Sequence, residues 1–195
     1  NYAEPGILYW DSIEHYNLLS IDKDFKYAGV NPCAEEPLPA GGSCLLGSLN
    51  LAAFVKNKVF LFEKFAAAAE LATKALNDVL DEGLPLHPLQ IQKDTVRDYR
   101  QIGLGIMGLA DMLITMDIRY GSEESIGLCD RIGHTLACSA IIASNKLADQ
   151  PYPKFKKEIF KSPFYQNHNT LTAVEQLRGL KNSQLLTIAP TGSIS

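Results

Sequence analysis

Between residues 61 and 83 the apolar side chains return with the period of an α-helix, and no other feature of the chain limits its fold as strongly. Phe62, Phe65, Ala66, Ala69, Ala72, Leu76, Val79 and Leu80 share one side, with Glu63, Lys64, Glu70, Lys74 and Asp78 opposite. Such a helix must bury one face against a partner, and Gly83 and Pro85 stop it. Ser122, followed by Glu123, Glu124 and Ser125, has the pattern of an N-cap and first turn for a second long helix reaching about Leu147. Shorter helices are expected over 11–19, from His87-Pro88 through Val96 and Tyr99, near Lys156, and over 172–180. Residues 103–116 are apolar almost all round and predict a buried helix. Residues 25–31 and 184–188 are strand-like and 44–55 is apolar chain that resumes the core; with helices dominant and three or four strands expected, the class is α/β with a helix-rich middle.

The chemistry concentrates in residues 31–48, NPCAEEPLPAGGSCLLGS. Pro32 disfavours a helical Asn31. In an extended segment Asn31, Cys33 and Glu35 would project to one side, with Pro32 and Ala34 turned away. An amide, a thiol and a carboxylate on one face suit chemistry on a substrate. Cys44 adds a second thiol after the permissive loop Gly41-Gly42-Ser43. Taken alone, N-P-C is also an ordinary loop with a small buried thiol. Cys33, Cys44, Cys129 and Cys138 lack the paired spacing of a zinc site, and His15, His87, His134 and His168 stand apart, so no metal is expected.

Other motifs carry less. Gly103, Gly105 and Gly108 spell G-x-G-x-x-G, but the approach over 95–102 is polar and helical, not the strand a dinucleotide site requires. Cys129 and Cys138 read as packing residues, Met107, Met112 and Met116 as core, and Asp111 as the partner of Arg97, Arg100 or Arg119. The last six residues, Pro190, Thr191, Gly192, Ser193, Ile194 and Ser195, follow a strand and offer hydroxyls and backbone N–H groups to an anion. A plain helix N-cap fits them equally.

The 195 residues, 46% hydrophobic and 21% charged with net charge −4, have the composition of a globular protein and lack the basic surface of a nucleic-acid binder. No apolar run is expected to reach bilayer length, so no membrane partner is foreseen. Cysteines without framework spacing fit a reducing cytoplasm. The chain starts without Met and stops inside a candidate ligand loop, which suggests a segment of a larger polypeptide.

Five stretches, in order, resemble the catalytic large subunit of ribonucleotide reductases: Glu4-Pro5-Gly6-Ile7, N-P-C-A-E-E-P-L (31–38), G-S-C-L-L-G-S-L-N-L (42–51), R-Q-I-G-L-G-I-M-G-L-A-D (100–111) and T-I-A-P-T-G-S-I-S (187–195). The likeness is greatest to the adenosylcobalamin-dependent, class II branch; class I enzymes share N-x-C-x-E but take their radical from a separate metal-containing subunit. It implies that residues 1–195 are a fragment of one catalytic domain, a ten-stranded α/β barrel threaded by a finger loop at about 28–48. Cys33 would be the thiyl-radical cysteine, Glu35 the general base on the 3′-hydroxyl and Asn31 a ribose ligand. Cys44 would be one of two reducing thiols that end as a disulfide, and 190–195 the phosphate loop.

The implied activity is reduction of ribonucleoside di- or triphosphates for deoxyribonucleotide biosynthesis and DNA replication. Adenosylcobalamin would be the cofactor, a thioredoxin-type protein the reductant and dNTP or ATP the effectors, on a homodimer of the full protein. Nothing before Asn31 supplies the second reducing cysteine, and the cobalamin-binding parts are not in the chain, so the segment alone is expected to be inactive. A non-catalytic nucleotide-binding or assembly half of a split reductase, and a thiol redox protein using Cys33 and Cys44, are the alternatives.

Overall fold

A computed structural model describes residues 6–162, 164–165 and 179–194. A short helix α1 (Trp10–His15) leads to a hairpin of two-residue strands, β1 (Gly29–Val30) and β2 (Pro37–Leu38). Strand β3 (Leu46–Asn50) follows, then a second small hairpin, β4 (Val55–Lys56) and β5 (Val59–Phe60). Helix α2 (Phe62–Gly83), α3 (Gln90–Tyr99), strand β6 (Gly103–Met107), α4 (Leu109–Met116) and α5 (Glu123–Lys146) complete the elements that shape the site.

Strands β3 and β6 run parallel, Leu46 opposite Gly103 through Asn50 opposite Met107. On the other edge of β6 the chain at 184–187 lies parallel, bridged at Leu104–Leu186, with the Leu104 N–H donating to the Leu185 carbonyl at 2.8 Å and the Thr187 N–H to the Leu104 carbonyl at 3.2 Å. Helix α2 packs on β3 and β6 and also on α5. Its buried residues are Phe65, Ala69, Thr73, Leu76, Asn77 and Leu80. Val79, expected on the apolar face, is exposed, and Thr73 and Asn77 take part in the buried stripe instead. Phe54, Phe60, Phe62 and Phe65 meet edge-to-face or tilted where β5 enters α2.

Helix α5 begins as its sequence predicts, the Ser122 Oγ accepting the Ser125 N–H at 3.2 Å. It corrects one expectation, because by length and composition it could cross a bilayer. Its apolar character is spread over small residues, and Leu128, Ile132, Leu136, Ala140 and Ile141 are buried in the protein core.

The buried helix expected over 103–116 is instead a strand, a turn and a helix. Two glycines weaken a helix there and admit a neighbour: a Cβ on Gly105 would fall on the Thr187 carbonyl. Gly108, at φ +69, turns the chain from β6 into α4. Asp111 therefore lies exposed in the first turn of α4 and needs no cation. Two of the three expected partners are engaged elsewhere, Arg97 with Asp94 and Asp98 and Arg100 with Asp81.

Other boundaries shift. Helix α1 stops at His15, four residues short of the expected end; of 25–31 only Gly29 and Val30 pair as strand; and the helix near Lys156 is one 3-10 stretch, Lys157–Lys161. Except for its last two positions, the helix expected over 172–180 lies outside the described residues, as do His168 and Ser195.

A polar knot ties the 181–187 segment to the helices. Asn182, fully buried, exchanges amide hydrogen bonds with Asn77 of α2 at 2.9 and 3.0 Å, accepts from Ser144 of α5 at 3.0 Å, and donates to the Arg100 carbonyl at 2.9 Å. Arg100, at a left-handed φ of 47 after α3, reaches Asp81 with both terminal nitrogens, at 2.5 and 3.0 Å.

Candidate active site

Residues 31–36 form the tip of the β1–β2 hairpin, and the tip is a turn rather than the extended segment that alternation predicted. The Ala34 N–H donates to the Asn31 carbonyl at 2.9 Å, with Ala34 at φ +67. The Asn31 N–H donates to the Glu36 carbonyl at 3.2 Å, and the Asn31 Oδ1 accepts the Glu36 N–H at 3.0 Å. Asn31 thus closes the turn with backbone and side chain together.

The turn carries the Asn31 side chain to Cys44. The Asn31 Nδ2 points to the Cys44 sulfur at 4.0 Å. Cys44 lies just ahead of β3, and its thiol feels the charges of Glu36, Glu35 and Cys33. Partial burial and the Glu36 carboxylate beside it push that thiol up to about 12. Cys33 stands exposed at the apex, and both cysteines are free thiols. Asn31 and Cys44 are therefore neighbours, and the Cys44 thiol lies within the electrostatic reach of Cys33, Glu35 and Glu36.

The Glu35 Oε2 is buried without a hydrogen-bond partner among the described residues, while the Glu35 carbonyl accepts the Thr187 hydroxyl at 2.9 Å. Glu35 and Glu36 line a cavity of about 180 Å³ with Tyr27, Ile102, Gln184 and Thr187. The Gln184 Nε2 donates to the Tyr27 hydroxyl at 2.6 Å, and Gln101 donates to Gln184. Burial and the Glu14 charge push the Tyr27 phenol up to about 12, against the Gln184 hydrogen bond.

Thr187 joins the tip to the other predicted site. Three residues on, Pro190 opens the terminal loop; Thr191 takes φ 57 and Gly192–Ile194 form a 3-10 turn in which the Ile194 N–H donates to the Thr191 carbonyl at 2.8 Å. Ala189, Pro190 and Thr191 border a cavity of about 490 Å³ with Gly108, Leu109, Ala110 and Asp111 at the start of α4. Pro190 to Ile194 are placed by the structure, and Ser195 is outside the described residues.

Sequence reasoning missed Glu36 and Thr187. Glu36 was given no role; the acidic doublet beside a cysteine and before Pro37 was the available signal. Thr187 had none, since its bond to Glu35 spans 152 positions.

All of residues 1–195 match the family model described as ribonucleotide reductase, barrel domain. The vitamin B12-dependent ribonucleoside-diphosphate reductase of Thermoplasma acidophilum is 33% identical over 194 residues, covering 99% of this chain and 23% of that protein. The protein of the same name from Mycobacterium tuberculosis is 31% identical over 195 residues, covering 99% of this chain and 26% of that protein. The chain thus spans about a quarter of the length of these curated relatives. Among solved structures, the Actinobacillus ureae class Id ribonucleotide reductase alpha subunit aligns with a TM-score of 0.70 at 23% identity, covering 98% of this chain and 34% of that one, a likeness of fold.

Proposed function

The chain belongs to the ribonucleotide reductase barrel-domain family, and on that premise we propose that it carries the radical fingertip of an enzyme that reduces ribonucleotides to 2′-deoxyribonucleotides. One observation carries the reading: a single turn sets Asn31 against the Cys44 thiol, exposes Cys33 at its apex, and leaves a Glu35 carboxylate oxygen buried with no hydrogen-bond partner among the described residues. A buried acceptor with no partner in the protein is placed to accept from a ligand.

In this reading the Cys33 thiol, exposed at the apex, is presented to a radical source outside the segment and then to the substrate's 3′-carbon. Hydrogen transfer demands close, fixed approach, which a tip pinned by Asn31 and Thr187 provides. Glu35 takes the 3′-hydroxyl proton, and Asn31 orients the ribose hydroxyls. Cys44 serves as one of two reducing thiols, and residues 190–195 hold the phosphates. A ribonucleoside diphosphate is the substrate class favoured by the names of the B12-dependent relatives.

The same names favour adenosylcobalamin, which when bound would supply the radical chemistry; the exposed Cys33 fits a thiol that must face such a group. A dithiol protein as reductant, dNTP or ATP effectors, a homodimer and a cytoplasmic setting complete the proposal for the full-length protein.

The test is turnover of the full-length protein with adenosylcobalamin, a ribonucleoside diphosphate and a dithiol. Cys33→Ser is expected to abolish deoxynucleotide formation while nucleotide binding persists, and the 195-residue segment alone is expected to show none. Retained turnover in Cys33→Ser would instead favour a binding or assembly role.

A further inference from the structure

Beside Glu35 the tip holds a second carboxylate for which packing gives no reason. Glu36 is 5% exposed, and neither carboxylate oxygen has a hydrogen-bond partner among the described residues. A buried, unpaired carboxylate is costly, and an apolar residue of similar size would fold at least as well. Its backbone is held from both sides by Asn31, and the same Asn31 points its Nδ2 at the Cys44 sulfur. The thiol lies against the carboxylate without closing a hydrogen bond of good geometry.

The two groups perturb each other. Burial raises the Glu36 carboxyl, the Cys44 thiol beside it opposes that rise, and the Glu35 charge adds to it. The Cys44 thiol is raised by burial, by Glu36, and then by the charges of Glu35 and Cys33. Each group thus acts on the other's protonation. Tyr27 also feels the Glu36 charge, but its hydroxyl is engaged by Gln184, and Glu14 acts on that phenol from α1.

We propose that Glu36 is the proton partner of the Cys44 thiol, distinct from Glu35, which acts on the substrate. This rests on the reading of Cys44 as a reducing thiol. When the two reducing thiols close a disulfide, their two electrons pass to the ribonucleotide, whose 2′-hydroxyl leaves as water; the Cys44 S–H proton is held on the Glu36 carboxylate, and solvent supplies the proton that the substrate takes up in its place. When an external dithiol reopens that disulfide, the incoming thiolate attacks the partner sulfur and the S–S bond breaks. The electron pair leaves on Cys44, and Glu36 returns the proton to it. The external dithiol ends as a disulfide, and the protein regains two thiols. A neutral leaving thiol reopens the bond more readily than a thiolate flanked by two carboxylates.

The experiment uses the full-length protein. Iodoacetamide labelling of Cys44 is followed peptide by peptide across pH 6–10 in the wild type, Glu36→Gln and Glu36→Asp, with Cys129 as the internal reference. Alkylation follows the thiolate, so Glu36→Gln is expected to label Cys44 at least about tenfold faster at pH 8, with Cys129 unchanged and Glu36→Asp between. Turnover with dithiothreitol is expected to fall about tenfold in kcat at unchanged KM, and to recover as pH is lowered and solvent supplies the proton. An unchanged Cys44 profile in a Glu36→Gln protein of wild-type unfolding temperature, with Cys44→Ser inactive, overturns the proposal alone. Full turnover in Cys44→Ser overturns the reading beneath it, and the proton transfer with it, whatever the labelling shows.

Discussion

Two buried polar clusters are joined through the 182–187 segment, and they are built on opposite terms. In the knot around Asn182, the amides of Asn77 and Asn182, the Ser144 hydroxyl and the Arg100–Asp81 pair satisfy one another, leaving the Arg100 Nε as the exception. At the hairpin tip, three carboxylate oxygens of Glu35 and Glu36 are buried with no hydrogen-bond partner among the described residues. A satisfied network fixes backbone position, whereas an unsatisfied one is a cost to the fold that a ligand or a reaction must justify. The knot holds the 181–187 segment, and Thr187 ties that segment to the Glu35 carbonyl.

The comparison breaks most visibly at Glu35. Glu35→Gln is expected to lower kcat of the full-length enzyme by about a thousandfold, the scale of a lost general base, with unfolding by denaturant almost unchanged. If stability falls and kcat does not, Glu35 belongs with the structural cluster. Asn182→Ala is the converse. It leaves several buried groups unpaired and should cost about 3 kcal/mol in denaturant unfolding, while nucleotide turnover per folded molecule stays near wild type.

Acid titration of stability separates the two clusters by sign. The Arg100 hydrogen bond and charge hold the Asp81 carboxyl low despite partial burial. Its contribution is present above the unfolded value of 3.8 and is lost as pH falls through the lower folded value. The advantage of the wild type over Asp81→Asn should therefore shrink on acidification. The Glu36 carboxyl is raised by burial, so its folded state prefers the proton. Stability is full below the unfolded value of 4.5 and declines as pH rises through the folded value. Glu36→Gln should then gain on the wild type as pH rises, a difference that thermal melts over pH 3–8 would show.

The smallest effect sharpens the geometry of the tip. Ala34 holds a left-handed φ of 67, where a Cβ is strained. Ala34→Gly should stabilise the full-length protein by about 0.5 kcal/mol after the entropy of glycine is set against the relief. A loss of stability instead would mean that the turn differs from the one described.

Much was determined by the sequence itself. The period of α2, the Ser122 cap of α5 and the ordered motifs around 31–38, 42–51 and 100–111 are local signals, set by side-chain spacing, capping chemistry and family likeness. What failed depended on neighbours distant in the chain. Residues 103–107 became a strand because β3 and the 184–187 segment pair with both of its edges, which apolar periodicity cannot register. The tip became a turn because Asn31 bonds Glu36 with both backbone and side chain, which put Glu36 against Cys44. The residue types of the candidate site were legible in sequence order. Which carboxylate meets which thiol was decided only when hydrogen bonds over long separations closed the tertiary structure.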